Sequence, residues 1–319
     1  MFIAQAFKPQ NEFWKYLVGS VIVIFASFVG QLPLLIAFGI KAATDGGAMP
    51  ANEFEIYNYL DKNLTLFLIL LSFVAALLAL YITVRTLHRQ QFREIVTARK
   101  KTDWKRIFFA FFIWAVFSVV TTLIVYFTET DTYILQFDAE KFAILAVIAV
   151  FMIPVQTTVE ELIFRGYLMQ GFGLLAKNRW FPLVMTSVIF GGMHLFNPEV
   201  EKMGYLISLY YIGTGFFLGI ITLMDEGTEL ALGFHAANNL IAALLVTADW
   251  TAFQTHSIFK DVSEPSAGFD ILLPVFIIFP ILLFIFSKKY KWSGWKEKLT
   301  GNIYPEQAAI TNQTEDSHE

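Results

Sequence analysis

Glu160, Glu161 and Arg165 stand inside a run, P-V-Q-T-T-V-E-E-L-I-F-R-G-Y from Pro154 to Tyr167, that otherwise belongs in lipid. A charge at bilayer depth costs at least a few kcal/mol, so an ionisable cluster there marks a functional site by default. On a helix, Glu161 and Arg165 are i and i+4, share a face and can pair. Glu160 is turned by about 100° from Glu161 and points elsewhere, free for other work. The spacing therefore predicts one structural carboxylate and one chemical one. T-V-E-E also has capping-box spacing, which would make Glu161 a partner of Thr158 at a helix N-terminus; the two roles can coexist.

Two histidines extend the set. His194 ends F-G-G-M-H, with Phe190 four residues before it, and His235 opens H-A-A-N-N, with Asn239 four residues after it. Both sit inside or at the rim of apolar spans, whereas His88, His256 and His318 fall in polar segments where no role is expected. A lone histidine in a span is more often a packing residue than a catalyst. Together, however, Glu160, His194, His235 and Asn239 need one another to be satisfied in lipid. Acid–base chemistry on a bound water is open to them, as is a proton relay. A carboxylate hydrogen-bonded to water can act as general base, and a neighbouring imidazole can orient that water or shuttle its proton. Asn and His donors on one helical face can meet a developing oxyanion, worth a few kcal/mol in a dry site. Glu160, His194 and His235 could also be read as a zinc set. H-E-x-x-H is absent, the His-Glu dipeptide being His318-Glu319, and Asn239 is a poor zinc ligand but a good donor. A metal-independent glutamate mechanism, with no cofactor required, is the favoured reading. No G-x-S-x-G and no G-x-G-D motif offers a serine or aspartyl alternative.

These residues must be held by a membrane bundle. The 319-residue chain is 56% hydrophobic and 16% charged, with 34 Phe and a mean hydropathy of +0.57, more apolar surface than a soluble domain can bury. A net charge of −4 carries no nucleic-acid signal. The absence of cysteine removes disulfides, thiolate catalysis, iron–sulfur ligation and lipidation through Cys. No A-x-A-like site ends the first apolar run, which reads as a retained helix.

The expected fold is all-α, a polytopic bundle of about eight transmembrane helices. The spans fall near 14–40 (with Pro33 as a kink), 64–84, 107–127, 142–157 leading into the Glu-Glu segment, 181–196, 204–224, 230–248 and 271–287. Residues 1–141 would hold spans one to three and a basic connector, 142–248 the chemical core, and 249–319 a loop, the last span and a tail. That tail begins basic, with Trp292 and Trp295 as interfacial anchors, and ends polar, acidic and disordered. With eight spans, the basic connector at 85–106, the turn at Lys177 and Arg179 and the 288–298 segment share one side. The acidic loops after spans one, three, five and seven share the other. Both termini are then cytoplasmic, in a cell (inner) membrane. Asp225, Glu226 and Glu229 disagree in sign, but acidic residues weigh little in this rule. G-F-F-L-G at 215–219 reads as helix packing within the monomer; Gly191 and Gly192 leave room for substrate backbone or a tight crossing.

The motifs Glu160-Glu161-x-x-x-Arg165, Phe190-x-x-x-His194 and His235-x-x-x-Asn239, in this order along the spans, resemble the CPBP family, the CAAX-protease and bacteriocin-processing intramembrane proteases also called Abi. The resemblance covers about residues 142–248 and departs at no motif position. It implies an intramembrane endopeptidase of the CAAX prenyl endopeptidase type, acting on a membrane-associated or lipidated peptide or protein. It further implies that Glu160 and His194 activate water while His235 and Asn239 stabilise the oxyanion, with Glu161, Arg165 and Phe190 in support. Two readings of other classes stay open: a proton-coupled transporter using Glu160 and His194 as a relay, and a non-catalytic scaffold or bacteriocin-immunity protein. The substrate and the oligomeric state are not legible in the sequence.

Overall fold

The computed structural model describes residues 1–8, 11–50, 53–252, 254–265 and 268–304; the polar end of the tail, including His318, lies outside the described residues. The described chain is an all-α membrane bundle. Six segments are long and apolar enough to cross a bilayer, and two shorter apolar helices, Trp180–Phe196 and Glu229–Leu245, complete the eight expected passes.

The first pass is two helices, α1 (Phe13–Gly30) and α2 (Leu32–Asp45), broken at Gln31 with Pro33 in the first turn of the second, where a missing N–H costs nothing. After the short α3 (Glu53–Tyr59) come α4 (Lys62–Thr86) and α5 (Trp104–Thr128), then a strand, β1 (Tyr133–Leu135). The fourth pass runs on much further than the sequence reading allows. Helix α6 (Ala139–Glu161) continues through a π-helical turn, Leu162–Leu168, into α7 (Met169–Ala176). Asp61, Asp103 and Asp138 cap α4, α5 and α6, each accepting backbone N–H groups that the first helical turn leaves unpaired. The capping-box reading of Thr158 is corrected here: Thr158 and Glu161 lie mid-pass, where no helix begins.

Helix α8 (Trp180–Met193) follows, then α9 (Pro198–Met203), α10 (Ser208–Asp225) and α11 (Glu229–Leu245). Strands β2 (Val246–Thr247) and β3 (Phe259–Asp261) lead to α12 (Phe269–Leu273), α13 (Phe279–Tyr290) and α14 (Trp295–Thr300). The strand order is β1-β3-β2, with β3 antiparallel to β1 and parallel to β2. This sheet ties the loops after the third and seventh passes together on one face, where His256 also meets Asp61 at 3.2 Å. On the opposite face, Thr97 bridges Gly227 and Asn178 bridges Asn302. The two faces are those the charge pattern separates.

The acidic loop of the wrong sign has a local cause. Asp225 is buried against Arg99 (2.9 Å), Arg106 and the Trp292 indole (3.1 Å), and Glu229 pairs with Arg99 at 3.0 Å. These carboxylates neutralise the basic connector, and Trp292 is a hydrogen-bonded packing residue as well as an interfacial one. The N-terminal residues Phe2, Ile3 and Ala4 are buried on the same face, the Phe2 N–H donating to Glu226 at 2.6 Å.

Two close approaches set the bundle around the site. Gly166, in the π turn, lies against the Ile95 backbone carbonyl, and Gly233, in α11, against that of Ile107 at the start of α5; a Cβ at either position would meet backbone. Gly215 and Gly219 pack within the monomer, on Ser187 and Leu183 of α8. Gly191 is a tight crossing against Ile212, while Gly192 faces open space. Outside, Phe25, Phe28, Phe127 and Phe151 stay exposed, an apolar surface suited to lipid.

His88 does more than its polar segment suggests. It is fully buried, its Nδ1–H donating to Asn11 Oδ1 at 3.1 Å and its Nε2 lying 2.8 Å from the Tyr167 hydroxyl, which donates to the Lys15 carbonyl at 3.2 Å. Burial, with Lys15 nearby, pulls its pKa from 6.5 to about 4. Because the folded pKa lies below the unfolded one, the stabilisation is complete above pH 6.5 and is lost as pH falls towards about 4. At its limit this amounts to about 3 kcal/mol. Thermal unfolding in detergent should therefore weaken across that window in the wild-type chain and flatten in His88→Gln; equal slopes for both would contradict this role.

Candidate active site

Glu160, His194, His235 and Asn239 line one cavity of about 320 Å³. Its other walls come from Ile69 and Phe73 of α4, Gln156 of α6, and Tyr210, Tyr211 and Thr214 of α10. Residues before 142 thus form part of the wall. The three passes that carry the motifs converge because α6 packs on α11, and α8 packs on α10 and the π turn.

Glu161 and Arg165 are both wholly buried and pair at 3.0 Å, as the spacing predicts. Arg165 also donates to the Gly215 carbonyl at 3.3 Å, and its guanidinium lies 4.2 Å from the centre of the Phe190 ring. Phe190 is therefore a platform for the cation. The same Glu161 oxygen accepts from His235 Nδ1 at 2.7 Å. This link is absent from the sequence reading, because nothing in the spacing of α6 and α11 fixes which carboxylate the ring meets. Glu161 fixes the His235 ring as well as the arginine.

Glu160 is the partly open carboxylate. Its Oε1 accepts from Gln156 Nε2 at 2.9 Å, and its Oε2 stands 3.5 Å from His235 Nε2. One imidazole thus faces both glutamates, bonded directly to Glu161 and 3.5 Å from Glu160. His194 ends α8 at the start of a 3₁₀ turn, His194–Phe196, and its ring stacks on Tyr211 with centroids 4.6 Å apart. Its Nδ1 lies 2.7 Å from the Phe190 carbonyl. A carbonyl only accepts, so Nδ1 carries the proton and, in the neutral ring, Nε2 presents a lone pair.

Asn239 is oriented by a chain with one possible direction. The Trp114 indole can only donate, and does so to Asn238 Oδ1 at 3.1 Å. Asn238 Nδ2 must then donate, to Asn239 Oδ1 at 3.0 Å. The Asn239 carbonyl is thereby engaged and its amide N–H groups remain to donate. The sequence reading names Asn239 and passes over Asn238, though H-A-A-N-N shows both; Trp114, in another pass, carries no such signal.

Among the described residues, no three His, Asp or Glu side chains gather as a metal-binding group. The Nδ1 atoms of both rings are bonded, His235 to Glu161 and His194 to the Phe190 carbonyl, which leaves the two Nε2 atoms as the remaining ring nitrogens.

Residues 140–241 match the family described as Rce1-like, type II CAAX prenyl endopeptidase. The matched region is similar to that family's domain. It contains all three motifs and the whole Glu160–His235–Asn239 constellation. Among curated proteins the chain is similar to the uncharacterized protein YyaK of Bacillus subtilis (strain 168), at 29% identity over 243 residues, covering 75% of this chain and 80% of that protein. No solved structure matches the chain. The Rce1-like domain and the apolar passes support a protease in a multi-pass membrane protein, with its substrate at the membrane.

A second, mostly apolar cavity of about 450 Å³ adjoins the first. Val23 and Ile24 of α1, Leu80 of α4 and Ile163, Phe164 and Met193 help to line it, and Glu160 and His194 front both cavities. The matched region therefore sets its open carboxylate between a polar chamber and an apolar one.

Proposed function

We propose that this chain is an intramembrane endopeptidase of the glutamate type, hydrolysing a peptide bond in a membrane-associated or lipidated peptide or protein. One observation carries the reading: a carboxylate without an arginine or lysine partner, Glu160, faces a cavity shared with two histidines and an asparagine whose free atoms suit hydrolysis. Glu160 Oε2 accepts a proton from a water held between it and the scissile carbonyl, and the lone pair of His194 Nε2 orients that water. The new C–O bond forms as the carbonyl π electrons move onto oxygen. The Asn239 amide N–H groups, and His235 Nε2 when it carries a proton, donate to that oxyanion. Glu160 then returns the proton to the leaving amine as the C–N bond breaks. No metal takes part in this scheme. The apolar cavity receives the lipid-held part of the substrate and places the bond beside Glu160.

The test is cleavage of a membrane-anchored reporter peptide by the purified chain in proteoliposomes, with and without a strong chelator. Turnover that survives the chelator is expected; turnover abolished by chelation and restored by zinc would remove the glutamate mechanism. The Trp114–Asn238–Asn239 chain supplies a finer prediction. Trp114→Phe keeps the packing but removes the donor, and should lower kcat by about five- to tenfold, the value of one hydrogen bond, with KM nearly unchanged. A KM effect alone would assign Asn239 to ground-state binding. By charge bias the termini lie in the cytoplasm and the host is a cell membrane.

A further inference from the structure

The basic connector and the basic tail are far apart in the chain, and the fold brings part of each to one seam. Helix α5 opens the third pass with Trp104, Lys105 and Arg106, and α13 ends the eighth with Lys288, Lys289 and Tyr290. Phe109 of α5 meets Tyr290 of α13 edge to face, with ring centroids 6.0 Å apart. Lys289 Nζ stands 4.0 Å from the centre of the Phe109 ring, and the Arg106 guanidinium 4.0 Å from that of Tyr290. The face of an aromatic ring attracts a cation, so the seam holds both charges in place.

The two cations differ in what balances them. Arg106 pairs with Asp103 at 3.1 Å and with Asp225. Lys289 is exposed, and its contacts among the described residues are aromatic rings rather than carboxylates. Lys105 stands one turn before Phe109 on the same face of α5 and is exposed, as are Lys288 and Lys291. Further along the two passes the outer surface turns apolar, with Phe108 and Phe112 of α5 and Ile281 and Phe284 of α13 exposed. Trp104, also exposed, stands at the level where an indole sits between headgroup and hydrocarbon.

We propose that the α5–α13 seam binds an anionic phospholipid. The ligand must carry negative charge at one end and hydrocarbon at the other, because the unpaired cations crown two passes whose flanks are exposed rings and aliphatic side chains. Its phosphate pairs with Lys105 and Lys289, Lys288 and Lys291 add to the positive field, and its acyl chains cover the flanks. The site also has a route to the bundle. Gly233 of α11 lies against the Ile107 carbonyl, and Arg106 reaches Asp225, so a lipid here braces α5 against the helix that carries His235 and Asn239. The inference stands apart from the endopeptidase reading and needs no cleavage to be tested.

The test places the full chain in nanodiscs of phosphatidylcholine with and without phosphatidylglycerol, and reads bound lipid by native mass spectrometry. The wild type is expected to keep phosphatidylglycerol after the bulk lipid is stripped, and to unfold at a higher temperature with it. Lys105→Gln combined with Lys289→Gln should weaken retention about twentyfold, about fivefold for each lysine at a membrane surface. Lys105→Arg combined with Lys289→Arg keeps the charge and the ring stacking and should hold the lipid. Arg85→Gln combined with Lys296→Gln removes the same charge from exposed positions on α4 and α14 and should leave retention near the wild-type value. An equal loss from that control pair would reveal a diffuse surface potential and overturn the site. Unchanged retention in the glutamine pair, or no preference for phosphatidylglycerol in the wild type, would overturn it too. Displacement of the lipid by inorganic phosphate would overturn the choice of ligand. Should the glutamine pair not accumulate, a salt titration of the wild type decides: retention that weakens with salt is expected, and retention indifferent to salt would remove the lysines from the site.

Discussion

Glu160→Gln should lower cleavage by about 10²- to 10⁴-fold, the range general-base catalysis supplies, while the protein still folds and inserts. Glutamine keeps the shape and can keep the hydrogen bond with Gln156, which accepts or donates through its own amide. What it loses is the capacity to take a proton. Among the described residues Glu160 has no arginine or lysine ion-pair partner, so its neutralisation leaves no cation stranded and structural loss is not expected. Activity and folding should therefore separate, measured as turnover of the reporter peptide beside the yield of monodisperse protein. A scaffold that only binds would survive this change. Retention of more than about a tenth of wild-type turnover would remove Glu160 from the role of base, since such a residue would contribute far less than general-base catalysis requires.

Arg165→Ala should do the opposite, costing about 3–5 kcal/mol of stability and most of the folded protein. Arg165 and Glu161 are wholly buried, and removing the guanidinium leaves a carboxylate in the bundle with His235 as its remaining partner among the described residues. The same change unseats the Gly215 carbonyl contact and the Phe190 platform, so α6, α8 and α10 all lose a tie. Arg165→Lys should rescue poorly, because one ammonium cannot bond Glu161, reach Gly215 and cover an aromatic face as a planar guanidinium does. Thermal unfolding in detergent gives the answer. An unchanged midpoint for Arg165→Ala would mean that the buried pair does not hold the site together.

The local spacing of ionisable residues made much of the site legible. Glu161 and Arg165 pair because i and i+4 meet on any helix, and the six membrane-length apolar helices among the described residues follow from hydropathy alone. What spacing could not reveal is contact between passes. The bond from His235 to Glu161 joins α11 to α6, and the donor chain from Trp114 joins α5 to α11; neither leaves a periodic trace in the sequence. The π turn at Leu162–Leu168 was also hidden, since its cause is tertiary: the close approach of Gly166 to the Ile95 carbonyl and the burial of Arg165 within it. His88 was misjudged for a related reason. A polar neighbourhood in sequence says little once Asn11 and Tyr167, far away along the chain, enclose the ring. The acidic loop at 225–229 looked like a topological exception and is an ion network with Arg99 and Arg106.

The most direct test of the endopeptidase reading compares protein and peptide termini in membranes of cells carrying the wild-type chain with those of cells carrying Glu160→Gln at equal abundance. The account predicts termini present with the wild type and missing with the variant, lying in or beside membrane-held segments. Identical terminus profiles from two well-folded proteins would contradict it, and the Rce1-like resemblance would then describe an architecture put to another use.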